Sequence, residues 1–256
     1  MNLHLICFKL PQSGETCEEY QDAYSYNLKI GRIALADGVS VSYDSGVWAK
    51  SLVQVFTDIE RPDCRTKEAL AEIVNVLSKQ WWDSIYSQWD NLPVFSRRQA
   101  SRVGAATTFL GVVFDPPNEI QYYGVKKGSW QALAVGDTCL FQIRKDELLI
   151  CFPLKKCKDF GMTPTVLGTN ERINQRGLDD LKIYKESYQV GDTFLLTTDA
   201  LAEWFVCAYR RKERPWRKIQ TLTTQEEFTF WISQLRQEKV IRDDDTTLMV
   251  IRVLQG

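Results

Sequence analysis

Hydrophobic positions along this chain are spaced in two ways, and the spacing divides it into blocks. Residues 2–9 and 24–36 are apolar and β-branched with short polar interruptions, and each reads as a strand; the second, ending IGRIALADG, closes on an Asp-Gly stop. Trp48, Leu52, Val55, Phe56 and Ile59 then fall on one face of a 3.6-residue period, which predicts a helix. A second helix carries Leu70, Ile73, Val74, Leu77, Trp81 and Ile85 on one face, with Thr66 as its N-cap. Residues 90–104 are polar and basic and read as a connection. Strands return in series at 105–114, 119–125, 130–137, 139–144 and 147–152. The lysine-rich stretch 153–188 reads as an irregular surface excursion or small subdomain. TFLLTTD (193–199) is a buried strand and ALAEWFVCAY (200–209) a helix. Thr224 and Glu227 form a capping box for a helix with Phe228, Trp231, Ile232 and Leu235, and a final strand follows Asp245. Helix pairs between blocks of strands indicate an α+β fold with helices packed outside β-sheets.

Composition narrows the classes. The 256 residues are 44% hydrophobic and 12% aromatic, enough for one large domain with a substantial core. A net charge of −1 argues against nucleic acid or an anionic membrane as partner, and no apolar run reaches the ~18 residues of a membrane span. The N-terminal MNLHLICFKLPQ lacks a basic segment and reads as a first or edge strand. Seven cysteines without a CxxC pair, and a single histidine, His4, argue against zinc and against a disulfide scaffold. Reduced, mostly buried thiols in a cytosolic protein are the plain reading.

Against that background the aspartates stand out by position. Asp22 precedes a strand in EYQDAYSYN, Asp37 ends IALADG, Asp137 lies in LAVGDT, Asp199 ends FLLTTDA, and Asp244 lies in DDDTTLMVIRV. Taken singly, each has a local explanation: a turn for Asp37, a hairpin for Asp137, a helix cap for Asp199, a solvated loop for Asp243 to Asp245. Gathered at one end of a sheet, they repel unless a cation neutralises them. Hard divalent ions such as Mg²⁺ or Mn²⁺ prefer oxygen ligands and need few carboxylates. A carboxylate shared by two ions about 3.5–4 Å apart suits hydrolysis of a phosphate ester.

The ordered set QDAY (21–24), ALADGV (34–39), GAATT (104–108), AVGDT (134–138), LLTTDALAEW (195–204) and DDDTTLMVI (243–251) resembles the metal-dependent serine/threonine protein phosphatases of type 2C, in their compact bacterial form. The resemblance spans about residues 17 to 253. It implies a single domain, 1–256, built as a four-layer α-β-β-α sandwich of two antiparallel sheets with a metal cleft at one end. It implies that Asp37 bridges two Mg²⁺ or Mn²⁺ ions, that the Gly38 carbonyl ligates one of them, and that Asp199 and Asp244 complete the other. Asp22 would hold a metal-bound water, and Asp137 would share a third, weaker ion with Asp199. The implied reaction is attack of a metal-activated water on phosphoserine or phosphothreonine of a phosphoprotein. A monomeric cytoplasmic enzyme opposing a Ser/Thr kinase is the expected setting, with residues 153–188 as a flap whose Lys155, Lys156 and Lys158 steer substrate.

Some positions depart from that pattern. Cys17 stands where many members carry a phosphate-binding arginine, which leaves Lys9, Arg32 or an arginine of 97–102 as substitutes. Val39 occupies the place of a histidine found in some members, Ser40 and Val41 replace a Gly-Gly, and Ala200 and Gln21 replace Gly and Glu. Trp204 is expected to pack under the site. Two other readings stay open on the same residues: a catalytically weak phosphatase-like module that binds a phosphoprotein or signalling partner, and a structural domain whose aspartates are caps and turns.

Overall fold

Strands buried on both faces organise the molecule, which is a computed structural model describing residues 2–60, 64–117, 127–161 and 163–255. The first sheet has the order β1 (Asn2–Leu10), β12 (Thr246–Leu254), β11 (Thr193–Thr197), β7 (Cys139–Arg144), β8 (Glu147–Phe152). The second has the order β10 (Lys182–Gln189), β6 (Lys127–Val135), β5 (Phe109–Asp115), β3 (Arg32–Ala36), β2 (Ala23–Asn27). Every pairing in both is antiparallel. A short bridge of β4 (Ala106–Thr107) with β9 (Leu167–Gly168) stands apart.

The two-residue period of a strand sorts its side chains between two cores. Leu35, Leu110, Trp130, Phe194, Met249 and Ile251 meet between the sheets. Ala34 and Ala36 of β3 face the other way, onto α1 (Ser45–Thr57) and α2 (Lys67–Ser87). Leu248 and Val250 of β12 likewise face α5 (Asp199–Arg210), α6 (Pro215–Gln220) and α7 (Gln225–Gln237). The result is the α-β-β-α sandwich. The aromatic centre of the sheet interface is edge-to-face: Phe194 lies 4.9 Å from Phe114 and 5.5 Å from Trp130, the arrangement the ring quadrupoles favour. The capping box forms, with Glu227 N donating to Thr224 Oγ1 at 3.2 Å and Thr224 N to Glu227 Oε2 at 3.2 Å.

Several elements differ from the sequence reading. The stretch 24–36 is a hairpin, β2 and β3, turned at Gly31 with φ +68°. The connection at 90–104 holds α3 (Val94–Arg102), of which only Ala100 is buried; a helix with no apolar stripe has no period to read. The excursion at 153–188 contains β9, α4 (Glu171–Asp179) and β10, the edge strand of the second sheet. The strand expected at 119–125 lies outside the described residues, and α6 was not anticipated. Cys157 and Cys207 are disulfide-bonded with Cα atoms 5.2 Å apart, which corrects the expectation of reduced thiols throughout; Cys64 is buried with its Sγ donating to the Phe56 carbonyl at 3.6 Å, and Cys139 is buried and unbridged. Among the described residues no helix is long and apolar enough to cross a membrane.

Candidate metal centre

Strand register brings the five aspartates to one end of both sheets. Ala23 pairs with Ala36, so Asp22 and Asp37 leave adjacent strands side by side. Leu35 pairs with Leu110 and Phe109 with Val135, which carries the same edge to the Gly136-Asp137-Thr138 turn between β6 and β7. Thr197 pairs with Cys139 on one side and with Leu248 on the other, so Asp137, Asp199 and Asp244 meet at the matching end of the first sheet.

Local hydrogen bonds then fix each backbone. Thr107 Oγ1 donates to the Asp37 carbonyl at 2.7 Å and Thr108 N to the same oxygen at 2.9 Å. Asp37 N donates to Thr108 Oγ1 at 3.2 Å, and Thr108 Oγ1 meets Thr138 Oγ1 at 2.7 Å. The GAATT segment therefore clamps the Asp37 loop to the Asp137 turn. Gly38 admits no side chain, because a Cβ there would lie 2.7 Å from the Gln21 carbonyl oxygen. Its own carbonyl is not spent on the Gly38–Thr107 bridge, whose bonds run from Val39 N to Ala106 O and from Thr108 N to Asp37 O.

The three consecutive acids divide their work. Asp245 is buried and accepts from Gln21 N at 2.7 Å and Gln12 N at 2.9 Å, a latch the sequence did not reveal. Asp243 accepts from Ser13 N at 3.0 Å. Asp244 faces the cluster, with its carbonyl held by Arg236, which also donates to Pro11 O at 2.7 Å. Asp199 is the first residue of α5, and the N-cap is Thr198. Its Oδ2 accepts from Arg242 Nη2 at 2.7 Å, while its Oδ1 is buried with no partner. Asp22 Oδ2 accepts from Thr247 Oγ1 at 2.6 Å and Tyr20 OH at 3.3 Å, and its Oδ1 is likewise buried without a partner.

The electrostatics record the crowding. Burial pushes the Asp37 carboxyl well above the usual carboxylate range, with added repulsion from Asp22, Asp199, Asp137 and Asp244. Burial also raises Asp22, opposed by the Thr247 hydrogen bond and reinforced by Asp245 and Asp199. Burial, then repulsion from Asp199, pushes Asp137 up to about 7. Asp244 is raised by burial and by Asp199.

Among the described residues no three carboxylates, thiols or histidines are arranged as a ready ligand set for one ion. The donors nonetheless fit a hydrated hard cation: all are oxygens, two buried oxygens are unpartnered, and Mg²⁺-like ions keep several waters while taking one or two carboxylates each. His4 lies on edge strand β1, paired with Arg252 towards the opposite end of the sheet.

Asp22 also lines a cleft of ≈ 580 Å³ with Lys9, Tyr20, Gln21, Ser42 and Asp44. Lys9 pairs in register with Thr247, and its Nζ stands 5.4 Å over the Tyr20 ring. Arg32 begins β3, about 13 Å along the strand from the Asp37 end, and donates to the Asp58 carbonyl at 2.8 Å. Of the α3 side chains, Gln99 reaches the loop after Gly38, donating to Val41 O at 3.1 Å. Lys155 is held by its carbonyl to Arg210, about 16 Å along α5 from Asp199. Trp204 packs edge-on to Trp231 at 5.2 Å.

Comparison with solved structures gives the fold of the metal-dependent serine/threonine phosphatases of type 2C. The chain is similar to the Mycobacterium tuberculosis serine/threonine phosphatase PstP/Ppp (14% identity, 99% of each chain covered, TM-score 0.62). It is similar also to the Staphylococcus aureus phosphatase Stp1 (14%, 100% of this chain and 96% of that one, 0.61) and to PppA, a regulatory component of T6SS in Pseudomonas aeruginosa (14%, 99% of each, 0.58). The PstP catalytic domain has been solved in complex with two manganese ions. No protein-family model and no curated protein matches the sequence.

Proposed function

We propose that the protein is a metal-dependent phosphoprotein phosphatase that hydrolyses phosphoserine and phosphothreonine. The observation that carries this reading is the convergence of five carboxylates in which Asp22 Oδ1 and Asp199 Oδ1 are buried and unpartnered, a state that costs several kcal/mol unless a cation completes it. Asp37, the Gly38 carbonyl, Asp199 and Asp244 would hold two Mg²⁺ or Mn²⁺ ions, with Asp137 at the edge beside Asp199. When bound, such ions supply Lewis-acid chemistry, offsetting phosphoryl charge and making a water nucleophilic at neutral pH. The chain's own residues do the rest. Asp22, fixed by Thr247 and Tyr20, offers Oδ1 to accept a hydrogen bond from the attacking water and so orient it. Lys9, at the rim of the same cleft, takes a phosphoryl oxygen in the place of the arginine replaced by Cys17. Substrate would be a phosphoprotein opposing a Ser/Thr kinase, met by a monomer in the cytoplasm.

The Arg242–Asp199 ion pair favours one other reading, a phosphatase-like module that binds metal and a phosphorylated partner with little turnover. Hydrolysis of an aryl phosphate and of a phosphothreonine peptide separates the two, run with Mn²⁺ and with EDTA on the wild type, Asp37→Asn and Asp199→Asn. Mn²⁺-dependent turnover lost in both variants supports the enzyme. Mn²⁺ binding without turnover supports the module, and neither binding nor turnover would sink both.

A further inference from the structure

Arg242 has no role in the resemblance, yet its side chain donates directly to a carboxylate of the cluster, where Arg236 holds only a backbone carbonyl of Asp244. Asp199 and Glu203 are four residues apart and present carboxylates on one face of α5. Arg242 closes on both, Nη2 to Asp199 Oδ2 at 2.7 Å and Nε to Glu203 Oε2 at 2.9 Å. Its positive charge is also felt at Asp137 and Asp244, which approach Asp199 from the β6–β7 turn and from the start of β12. Asp199 is thus the carboxylate at which the guanidinium meets the cluster, and it is the one that the resemblance would share with Asp137 in holding a third ion. The guanidinium leaves Asp199 Oδ1 unspent and buried. Glu203, nearer solvent, is satisfied by Arg242 Nε.

Building on the metal reading above, we propose that Arg242 is a positioning residue that serves as a tethered cation. It orients Asp199 towards the two-ion site and takes the place of a third metal ion on the Asp137–Asp199 edge. A partner that holds the outer oxygen of a ligating carboxylate fixes its orientation, and losing such a partner commonly costs ~10–100-fold in metal affinity. A planar, permanently charged fork suits that task.

The test counts bound Mn²⁺ by isothermal titration calorimetry and by the electron paramagnetic resonance signal of free Mn²⁺, on the full chain at pH 7.5. The wild type is expected to bind two ions. Arg242→Ala and Arg242→Gln should gain a third ion and bind the first two about 10-fold more weakly, whereas Arg242→Lys, which keeps the charge, should stay at two. Arg242 is 42% exposed, so truncation opens no buried cavity, and far-UV circular dichroism on each variant verifies folding. Three ions on the wild type would overturn this proposal and leave the phosphatase reading standing. So would two ions, at unchanged affinity, on both neutral variants. A wild type that binds no Mn²⁺ would overturn both readings.

Discussion

Replacing Asp137 by asparagine in the metal-free protein should stabilise it at pH 8 and do nothing at pH 5. Asp137 is 6% exposed, and burial with repulsion from Asp199 carries its carboxyl from an ordinary 3.8 to about 7. The neutral form is thus favoured in the folded chain. Its contribution to stability is complete below about pH 4 and is lost as pH rises through 7. The interval between 3.8 and about 7, at ~1.36 kcal/mol per pH unit, makes ionised Asp137 a burden of about 4 kcal/mol on the fold at pH 8. Asparagine keeps the shape and removes the charge, but its amide must find partners in a buried turn, which returns ~1–3 kcal/mol of cost. The net gain is about 2 kcal/mol, or roughly 4–8 °C in Tm for a chain of this size. Thermal unfolding of wild type and Asp137→Asn in EDTA, at both pH values, reads this directly. An equal change at pH 5 and pH 8, or no gain at pH 8, would refute the reasoning, because either result means that Asp137 is not carrying an unneutralised charge.

Two further outcomes follow from the geometry. Lys9→Ala should raise KM for a phosphothreonine peptide about 10-fold with kcat nearly unchanged, the effect of losing one charge-assisted contact of ~1.5 kcal/mol; steady-state kinetics with Mn²⁺ checks it. Gly38→Ala should destabilise the chain by ~1–3 kcal/mol and weaken Mn²⁺ binding, since its methyl would press on the Gln21 carbonyl at 2.7 Å, whereas Gly46→Ala, whose nearest neighbour is at 3.4 Å, should be neutral or better in the same denaturant and titration measurements.

Much of this architecture was legible because the sandwich imposes strong patterns. A strand buried on both faces is a continuous apolar run, and ALADG, TFLLTTD and TTLMVIRV have that form. The helices covering the sheets carry wide apolar stripes, which is why α1, α2 and α7 could be placed within a few residues. Elements that bury little were missed. Strand β10 pairs on one side only and exposes Lys182, Ile183, Lys185 and Glu186, so KIYKESYQ resembles a loop. Helix α3 is in the same position. At the site, the aspartates were found by their place at strand mouths. The groups that hold them were not, because Thr107, Thr108, Asp245 and Arg242 act over separations of tens to hundreds of residues. Only register reveals such contacts, and a lone Arg before three acids reads as a solvated charge run.

Burial of a carboxylate is not in itself the signature of this site, as Asp192 demonstrates. Its side chain is fully buried too, yet it accepts from Arg144 Nε and Nη2, both at 2.7 Å, from Gln142 Nε2 at 2.8 Å and from Gln189 N at 3.1 Å. Both of its oxygens are spent, as a structural acid requires. The same chain therefore neutralises a buried acid completely where the acid serves only the fold. At the end of the sheets it does the opposite. Thr107, Thr108, Arg236 and the Gly38 approach hold the backbones of Asp37 and Asp244 rigidly, while oxygens of Asp22 and Asp199 are left without partners. Rigid backbones with unsatisfied, mutually repelling side chains store a cost that hydrophobic layers on either side can carry. A cation arriving there would recover that cost as binding energy, which is the physical basis of the metal reading proposed above.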